Sequence, residues 1–458
     1  MPDTFNDLDL HPDLRDGLAV LGWTTPTPIQ AAALPPGLAG KDVVGQARTG
    51  SGKTAAFGLP LLQALDLETR VVQALVLCPT RELATQVAEA VRAMGARQAN
   101  TRVLTACGGH AVHAQRKALG HGGHVVVGTP GRVAHLLRSG HLELDSLRVL
   151  VLDEADRMLD MGFAEEVEGI VSHAPADRQT LLFSATFPEG VDALSGRTQR
   201  DPVQVSAGDQ GQTGVIHEAA YRTTFHDRIG LVARLLASHQ PERALVFCET
   251  RQDTNDMAEG LCDRGASAIA LHGDLDQRSR DEALLQLLGG SARVLVATDV
   301  AARGLDIPDL PLVIVSELSH TPEPHVHRVG RTGRAGAQGR ALSIVARPSE
   351  LRRLETIEAF TGRSVPREAD PGGDEDLSGL HAPNRTLLIL SGRKDKVRKG
   401  DVLGALVNDA GVPADAVGRI DLLDRVTAVA IDRRHARDAE RALRGGRVKG
   451  KKVRVRLL

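Results

Sequence analysis

The stretch Ala47–Thr54, ARTGSGKT, constrains this chain more than any other. It follows an apolar run, Asp42-Val43-Val44, and leads into a helical pattern carrying Ala55, Ala56, Leu59 and Leu62. A glycine-rich turn between strand and helix points several backbone N–H groups inward, where they hold phosphate oxygens, and the positive end of the helix dipole faces the same anion. Ala47, Arg48, Thr49, Gly50, Ser51 and Gly52 form the turn. Lys53 is placed to reach the β- and γ-phosphates, and the Thr54 hydroxyl to ligate Mg²⁺. The general pattern G-x-x-x-x-G-K-[ST] opens on glycine, where this chain has Ala47. An isolated match of this kind also fits an ordinary Gly/Ser loop, so the rest of the chain has to decide.

At 458 residues the chain has room for about three domains. Through about Val205, continuous apolar runs alternate with helical patterns: Ala74–Cys78, Val125–Val127, Val149–Leu152 and Thr180–Phe183. Strands buried on both faces of a parallel sheet read this way. After GDQGQTG at 208–214 the alternation resumes with Ala244–Cys248, Ala268–Leu271, Val294–Ala297, Leu312–Val315 and Ala341–Val345. Two tandem α/β domains, 1–207 and 208–365, are expected. Residues 366–383 are rich in Pro, Gly and acid and predict a flexible linker too short for a dimerisation helix, so a monomer is expected. The last segment, 384–458, fits a small α+β module of β-α-β-β-α-β order, with helices at 402–410 and 434–444.

Some function classes drop out. No apolar run approaches the roughly 18–20 residues of a membrane helix, and the acidic N-terminus MPDTFNDLDL lacks the marks of a signal peptide, so a soluble cytoplasmic protein is expected. Cys78, Cys107, Cys248 and Cys262 have no zinc-site spacing and read as small core residues.

A second motif answers the phosphate loop. Val149–Leu152 is a buried strand that ends in Asp153-Glu154-Ala155-Asp156. Ligands of open α/β sheets bind at such strand ends. Asp153 suits a Mg²⁺ bridging the β- and γ-phosphates, and Glu154 suits the orientation and deprotonation of an attacking water. Arg331 and Arg334, three apart in the second block, could reach a γ-phosphate bound on the other domain, as arginine fingers do, and equally fit a basic loop on a domain face. Gln30 offers an amide donor and acceptor suited to a purine edge, and equally fits a surface amide after a Pro-rich turn. Arg81 and Arg132 follow Pro-Thr and Thr-Pro-Gly turns and suit phosphates, although a surface ion pair is the commoner fate of a lone arginine.

With D-E-A-D at 153–156, the chain resembles the DEAD-box RNA helicases across roughly residues 5–348. The resemblance also rests on GWTTPTPIQ (22–30), PTRELA (79–84), Gly108-Gly109, TPGR (129–132) and Ser184-Ala185-Thr186. It continues through His272-Gly273-Asp274 with Gln277 and Arg280, ATDVAARGLD (297–306) and HRVGRTGRAG (327–336). It implies two RecA-like P-loop domains that close on ATP, Mg²⁺ and RNA. Gln30 then reads adenine, Phe5 stacks near it, and Asp306 touches ribose. Arg81, Gly109, Thr129, Arg132, Arg280, Thr298 and Asp299 contact RNA. His325 stands where the family often has an aromatic residue. An ATP-gated RNA clamp or annealing factor, without productive unwinding, would carry the same motifs.

The tail differs in charge. Residues 384–458 hold 19 Lys and Arg against 9 Asp and Glu, on a chain of net charge −2. Five cations fall in one loop, Arg393, Lys394, Lys396, Arg398 and Lys399, and Lys449, Lys451 and Lys452 lead a second group. A basic surface on a small α/β module is a polyanion footprint. The module resembles an RRM-like domain, and its similarity to the tail of the DbpA-type subgroup implies an anchor for ribosomal RNA in ribosome assembly. The aromatic stacking strand of such domains is missing: 425–431 reads RVTAVAI, and the tail has no Phe, Tyr or Trp. Loop and backbone contacts therefore have to carry binding.

Overall fold

A computed structural model describes residues 2–47, 50–109, 112–206, 215–302, 310–333 and 338–458. The chain divides into two compact units that part at 213/214.

The first unit is built on a parallel sheet. Its strands are β1 (Val43–Gln46), β2 (Ala74–Leu77), β3 (Val103–Ala106), β4 (Val125–Gly128), β5 (Val149–Asp153), β6 (Gln179–Ser184) and β7 (Val203–Ser206). They lie in the order β3-β4-β2-β5-β6-β1-β7. The unbroken apolar runs of β2, β4 and β5 are buried throughout, because helices cover both faces. The edge strands β3 and β7, each four residues long and less buried than the central ones, were not read as strands from the sequence. In the centre β6 lies between β5 and β1, which brings the ends of all three to one rim. Gly45 makes room there: a Cβ on it would sit 2.4 Å from the Phe183 ring, which packs against Phe57.

The second unit repeats the plan with β8 (Ile216–Arg222), β9 (Ala244–Cys248), β10 (Ala268–Leu271), β11 (Val294–Thr298), β12 (Leu312–Val315), β13 (Gly339–Val345) and β14 (Arg367–Glu368). Their order, β10-β11-β9-β12-β13-β8-β14, is again parallel.

Where a flexible linker was expected at 366–383, the structure shows a strap. β14 adds an edge strand beside β8, and Leu377 and Leu380 are fully buried in the core of this domain. Arg234 pairs with Asp227, Asp370 and Glu375, each at 2.7 Å, and Arg264 pairs with Glu375 at 2.7 Å. Asp370 and Glu375, two of the acids that mimicked a solvated linker, meet these two arginines. Of the cysteines, Cys78, Cys107 and Cys248 are buried as expected, whereas Cys262 is exposed.

The C-terminal module carries β15 (Asn384–Ile389), β16 (Val417–Leu422), β17 (Thr427–Asp432), a short hairpin of β18 (Arg447–Val448) and β19 (Lys451–Lys452), and β20 (Val455–Leu457). The antiparallel sheet runs β16-β17-β15-β20. One face packs on the helices Lys399–Gly404 and Arg433–Gly445, through Leu387, Ile389, Val429, Ile431, Ala436, Ala439 and Leu443. The first of these helices is shorter than expected and continues as a wider i→i+5 turn over Ala405–Asp409.

The other sheet face is covered by the helix Gln277–Leu288 of the second domain. Leu388 and Ala428 cluster with Leu285, Ser291 Oγ lies 2.7 Å from Thr386 Oγ1, Asn384 donates to the Gly289 carbonyl at 3.0 Å, and Arg456 pairs with Glu282. This explains the missing aromatics. The face on which an RRM stacks bases is here a contact between domains, and its small residues suit close packing.

Candidate nucleotide and RNA site

In the first unit the phosphate loop leaves β1 at the rim it shares with β6, and Ala47 N–H donates to the Ser184 carbonyl at 3.0 Å. Gly50 and Gly52 take φ of 87° and 94°, which lets the turn close without a Cβ clash. Arg48 and Thr49 lie outside the described residues. The helix Lys53–Gln63 starts at Gly52, and Lys53 folds back so that its Nζ donates to the Ala47 carbonyl at 2.9 Å, with only 6 % of the residue exposed. Thr54 follows on the first turn. Lys53 has to exchange the carbonyl for a phosphate oxygen to act on a nucleotide.

Segment 22–30 wraps this loop. Thr27 Oγ1 donates to the Ser51 carbonyl at 2.8 Å, and Gln30 Nε2 to the Gly52 carbonyl at 3.0 Å. Gln30 Oε1 accepts the Thr27 N–H at 2.9 Å. Both ends of the amide are therefore engaged within the chain, and to read adenine Gln30 must exchange one of these bonds or use its second amide hydrogen. Phe5, read from sequence as a stacking residue, packs into the core; its N–H donates to the Thr24 carbonyl at 3.1 Å. Trp23, the chain's single tryptophan, precedes Thr24 and is half-exposed.

Asp153 ends β5, two strands away from the phosphate loop. Its Oδ1 is buried without a hydrogen-bond partner among the described residues. Burial pushes the carboxyl up to about 7, opposed by the pull of the Lys53 ammonium and reinforced by Glu154. A buried carboxylate oxygen left without a donor is costly, and a divalent cation is the group that would compensate it. These residues fit Mg²⁺. Glu154 takes the left-handed conformation, φ 53° and ψ 54°, a strain of about 1–3 kcal/mol for a non-glycine. Its Oε2 lies 2.6 Å from Arg157 Nη1, both side chains almost wholly buried. Asp156 accepts from Thr186 N–H at 2.9 Å and Thr186 Oγ1 at 2.8 Å, while Ser184 Oγ donates to the Thr186 carbonyl at 2.7 Å. Ser184 and Thr186 thus bind the acidic strand end to the neighbouring β6.

The RNA candidates of this unit gather at the ends of β2, β3 and β4. The Arg81 guanidinium lies across Gly109: a Cβ there would be 2.1 Å from Nη1, and φ is 73°. Thr129 caps the helix Pro130–Arg138, on which Arg132 Nη1 donates to Gln115 Oε1 at 2.6 Å. Gln115 Nε2 in turn donates to the Cys107 carbonyl at 2.9 Å. Sequence reading missed Gln115 and Arg157, since each matters only through a partner.

In the second unit Thr298 ends β11, nearly buried. Asp299 accepts from Arg328 Nε and Nη2 at 2.7 and 2.6 Å, so both its oxygens face a guanidinium. Arg280 Nη2 donates to the Ala301 carbonyl at 3.4 Å. Arg331 is 4 % exposed, and its carbonyl accepts from Leu310 N–H. His325 is buried with Nε2 3.5 Å from Glu218. Asp306 and Arg334 lie outside the described residues.

In the module, Lys449 Nζ donates to the Lys396 carbonyl, which ties the two basic stretches together at one end. Lys394 pairs with Asp424 at 2.6 Å. Arg398 caps the helix that begins at Lys399, and Arg393, Lys451 and Lys452 are exposed around them.

Residues 27–194 match the family described as DEAD/DEAH box helicase, 227–336 the helicase conserved C-terminal domain, and 386–457 the DbpA RNA binding domain. The chain belongs to the DEAD-box helicases, in the group that carries this third domain. It is 48 % identical over 455 residues to the ATP-dependent RNA helicase DbpA of Escherichia coli (strain K12), covering 99 % of each chain. It is 36 % identical to DbpA of Bacillus subtilis (strain 168), covering 98 % of each. Among solved structures it resembles Saccharomyces cerevisiae Dbp5 bound to RNA and ADP BeF3, with TM-score 0.72 and 29 % identity over 81 % of this chain and 96 % of that one. Among the described residues, no helix is long and apolar enough to cross a membrane and no cluster of metal ligands is found.

Proposed function

We propose that the chain couples ATP hydrolysis to local opening of structured RNA, and that its basic module anchors it to that RNA, ribosomal RNA in a cytoplasmic assembly pathway. The observation that carries this reading is the shared rim of β1, β5 and β6. There Lys53 and Asp153, whose Oδ1 has no partner among the described residues, stand near a carboxylate, Asp156, that is tied to Ser184 and Thr186. In this reading Lys53 moves from the Ala47 carbonyl to the β- and γ-phosphates. Thr54 and Asp153 would hold Mg²⁺, which supplies charge neutralisation at the phosphates. Glu154 orients and deprotonates water. Arg331 and Arg334 complete the site from the second domain, so hydrolysis needs closure, and RNA bound on both domains favours the same state. Gln30 and Asp306 select the nucleoside.

A strand-displacement assay on a short RNA duplex tests the coupling. ATP-dependent displacement is expected. Stable ATP-dependent binding without displacement would replace the helicase reading by the clamp or annealing factor. The anchor is tested by RNA-stimulated ATPase of the full chain against a Lys394/Lys396/Lys449→Gln variant, with ribosomal RNA and a homopolymer. A loss of preference for ribosomal RNA in the variant alone is expected; equal responses remove the ribosome-directed part.

A further inference from the structure

The helix Arg433–Gly445 buries Ala436, Ala439 and Leu443 against the sheet and turns a row of arginines outward. Arg434, Arg437, Arg441 and Arg444 are spaced three, four and three apart, which puts them on one stripe about 15 Å long. The side chains of Arg434 and Arg441 are each 82 % exposed and that of Arg444 70 %. The opposite side of the module is covered by the second domain, so this helix lies on the side turned away from that contact. Its C-terminal end leads through Arg447 into the β18–β19 hairpin, whose Lys449 already reaches the Lys396 loop. The stripe therefore continues the basic end of the module.

A solvated helix face is the alternative, and the acids nearby have to be weighed. Arg434 pairs with Asp432 at 2.8 Å, Arg441 lies 3.6 Å from Asp438, and Arg444 pairs with Glu440 at 2.7 Å. The arginine end of each pair is exposed, and surface pairs hold by about 0–1 kcal/mol, so a phosphate can displace them at little cost. Arg437 has no acidic partner among the described residues. Four regularly spaced, bidentate-capable cations complement a regularly charged polyanion better than they serve a helix that needs only solubility. We propose that Arg434, Arg437, Arg441 and Arg444 form a second RNA contact, which grips the phosphate backbone beyond the nucleotides held at the loop end. This rests on the reading of the module as an RNA anchor and extends it to a face that the sequence motifs leave out.

The test uses the full chain with all four arginines changed to Gln, a good helix former. Binding to an RNA stem-loop and to a single strand of the same composition is followed across a salt series. Each lost phosphate contact lowers the slope of log K against log salt by about 0.7–0.9, so a fall of about 3 and at least tenfold weaker binding at low salt are expected, with kcat at saturating RNA unchanged. Loss on the stem-loop alone assigns the stripe to a stem; loss on both assigns it to a strand. A second variant, Asp438→Asn with Glu440→Gln, removes the competing acids and should tighten binding, which a folding defect cannot mimic. If neither variant moves affinity or slope while Lys394/Lys396/Lys449→Gln weakens binding, the stripe is a solvated face and the inference fails. If none of the three changes binding, the anchor reading itself has failed.

Discussion

Replacing Leu377 and Leu380 by alanine in the strap should destabilise the second domain severely. Both side chains are 0 % exposed within its core, although they lie in a segment whose composition is that of a linker. A buried Leu→Ala change costs about 2–5 kcal/mol, depending on how far the site collapses. The pair therefore costs about 4–10 kcal/mol if the two add, and less if they share one cavity. Whole domains are stable by only about 5–15 kcal/mol, so the loss approaches the total. The assay is urea unfolding of the full chain, with hydrogen exchange read separately on β8, β9 and β13. Those strands should lose protection at lower urea while β2, β4 and β5 keep theirs. Truncation after residue 365 should have the same effect. A midpoint within about 0.5 kcal/mol of wild type would show that the segment is dispensable and that the packing argument is wrong.

Glu154→Gln should reduce hydrolysis by about 10²–10⁴ while ATP and RNA stay bound, because the phosphate contacts remain; single-turnover ATPase with parallel binding measurements checks this, and retained turnover removes Glu154 from the base role. Gly109→Ala should displace the Arg81 guanidinium and raise the KM for RNA roughly tenfold at unchanged ATP affinity, read by RNA-stimulated ATPase. The Arg367 guanidinium holds the Glu358 carboxyl down at about 2, helped by the Val365 N–H. A depressed carboxyl stabilises above its unfolded value near 4.5 and loses that contribution as pH falls toward 2. The stability difference between wild type and Arg367→Gln should accordingly be constant above about pH 5 and narrow below it, in urea titrations from pH 6 to 3; a difference independent of pH refutes the pairing.

The placement of the candidate nucleotide site in the first unit was legible because its motifs are local. Ala47–Thr54 and Asp153–Asp156 announce a turn and a strand end within a few residues each, and the sheet order merely brings them together. Residues that act through distant partners were not legible. Nothing near Gln115 points to Arg132, and nothing near Asp299 points to Arg328. The strap misled for the same reason. Asp370 and Glu375 look solvated until Arg234 and Arg264, more than a hundred residues away, are placed beside them. The tail shows the converse. The absence of aromatics from 425–431 was visible, but its cause, the helix Gln277–Leu288 against the sheet, was not.

The position of Trp23 gives the molecule a built-in optical gauge. It is the sole indole in 458 residues, half in water, on the segment that wraps the phosphate loop through Thr27 and Gln30. If Gln30 exchanges the Gly52 carbonyl for a base, as proposed above, the wrap rearranges and the polarity around a single emitter changes. The spectrum of that indole can be read in the unlabelled protein without a contribution from any other tryptophan, so stopped-flow emission on mixing with nucleotide would test the exchange directly.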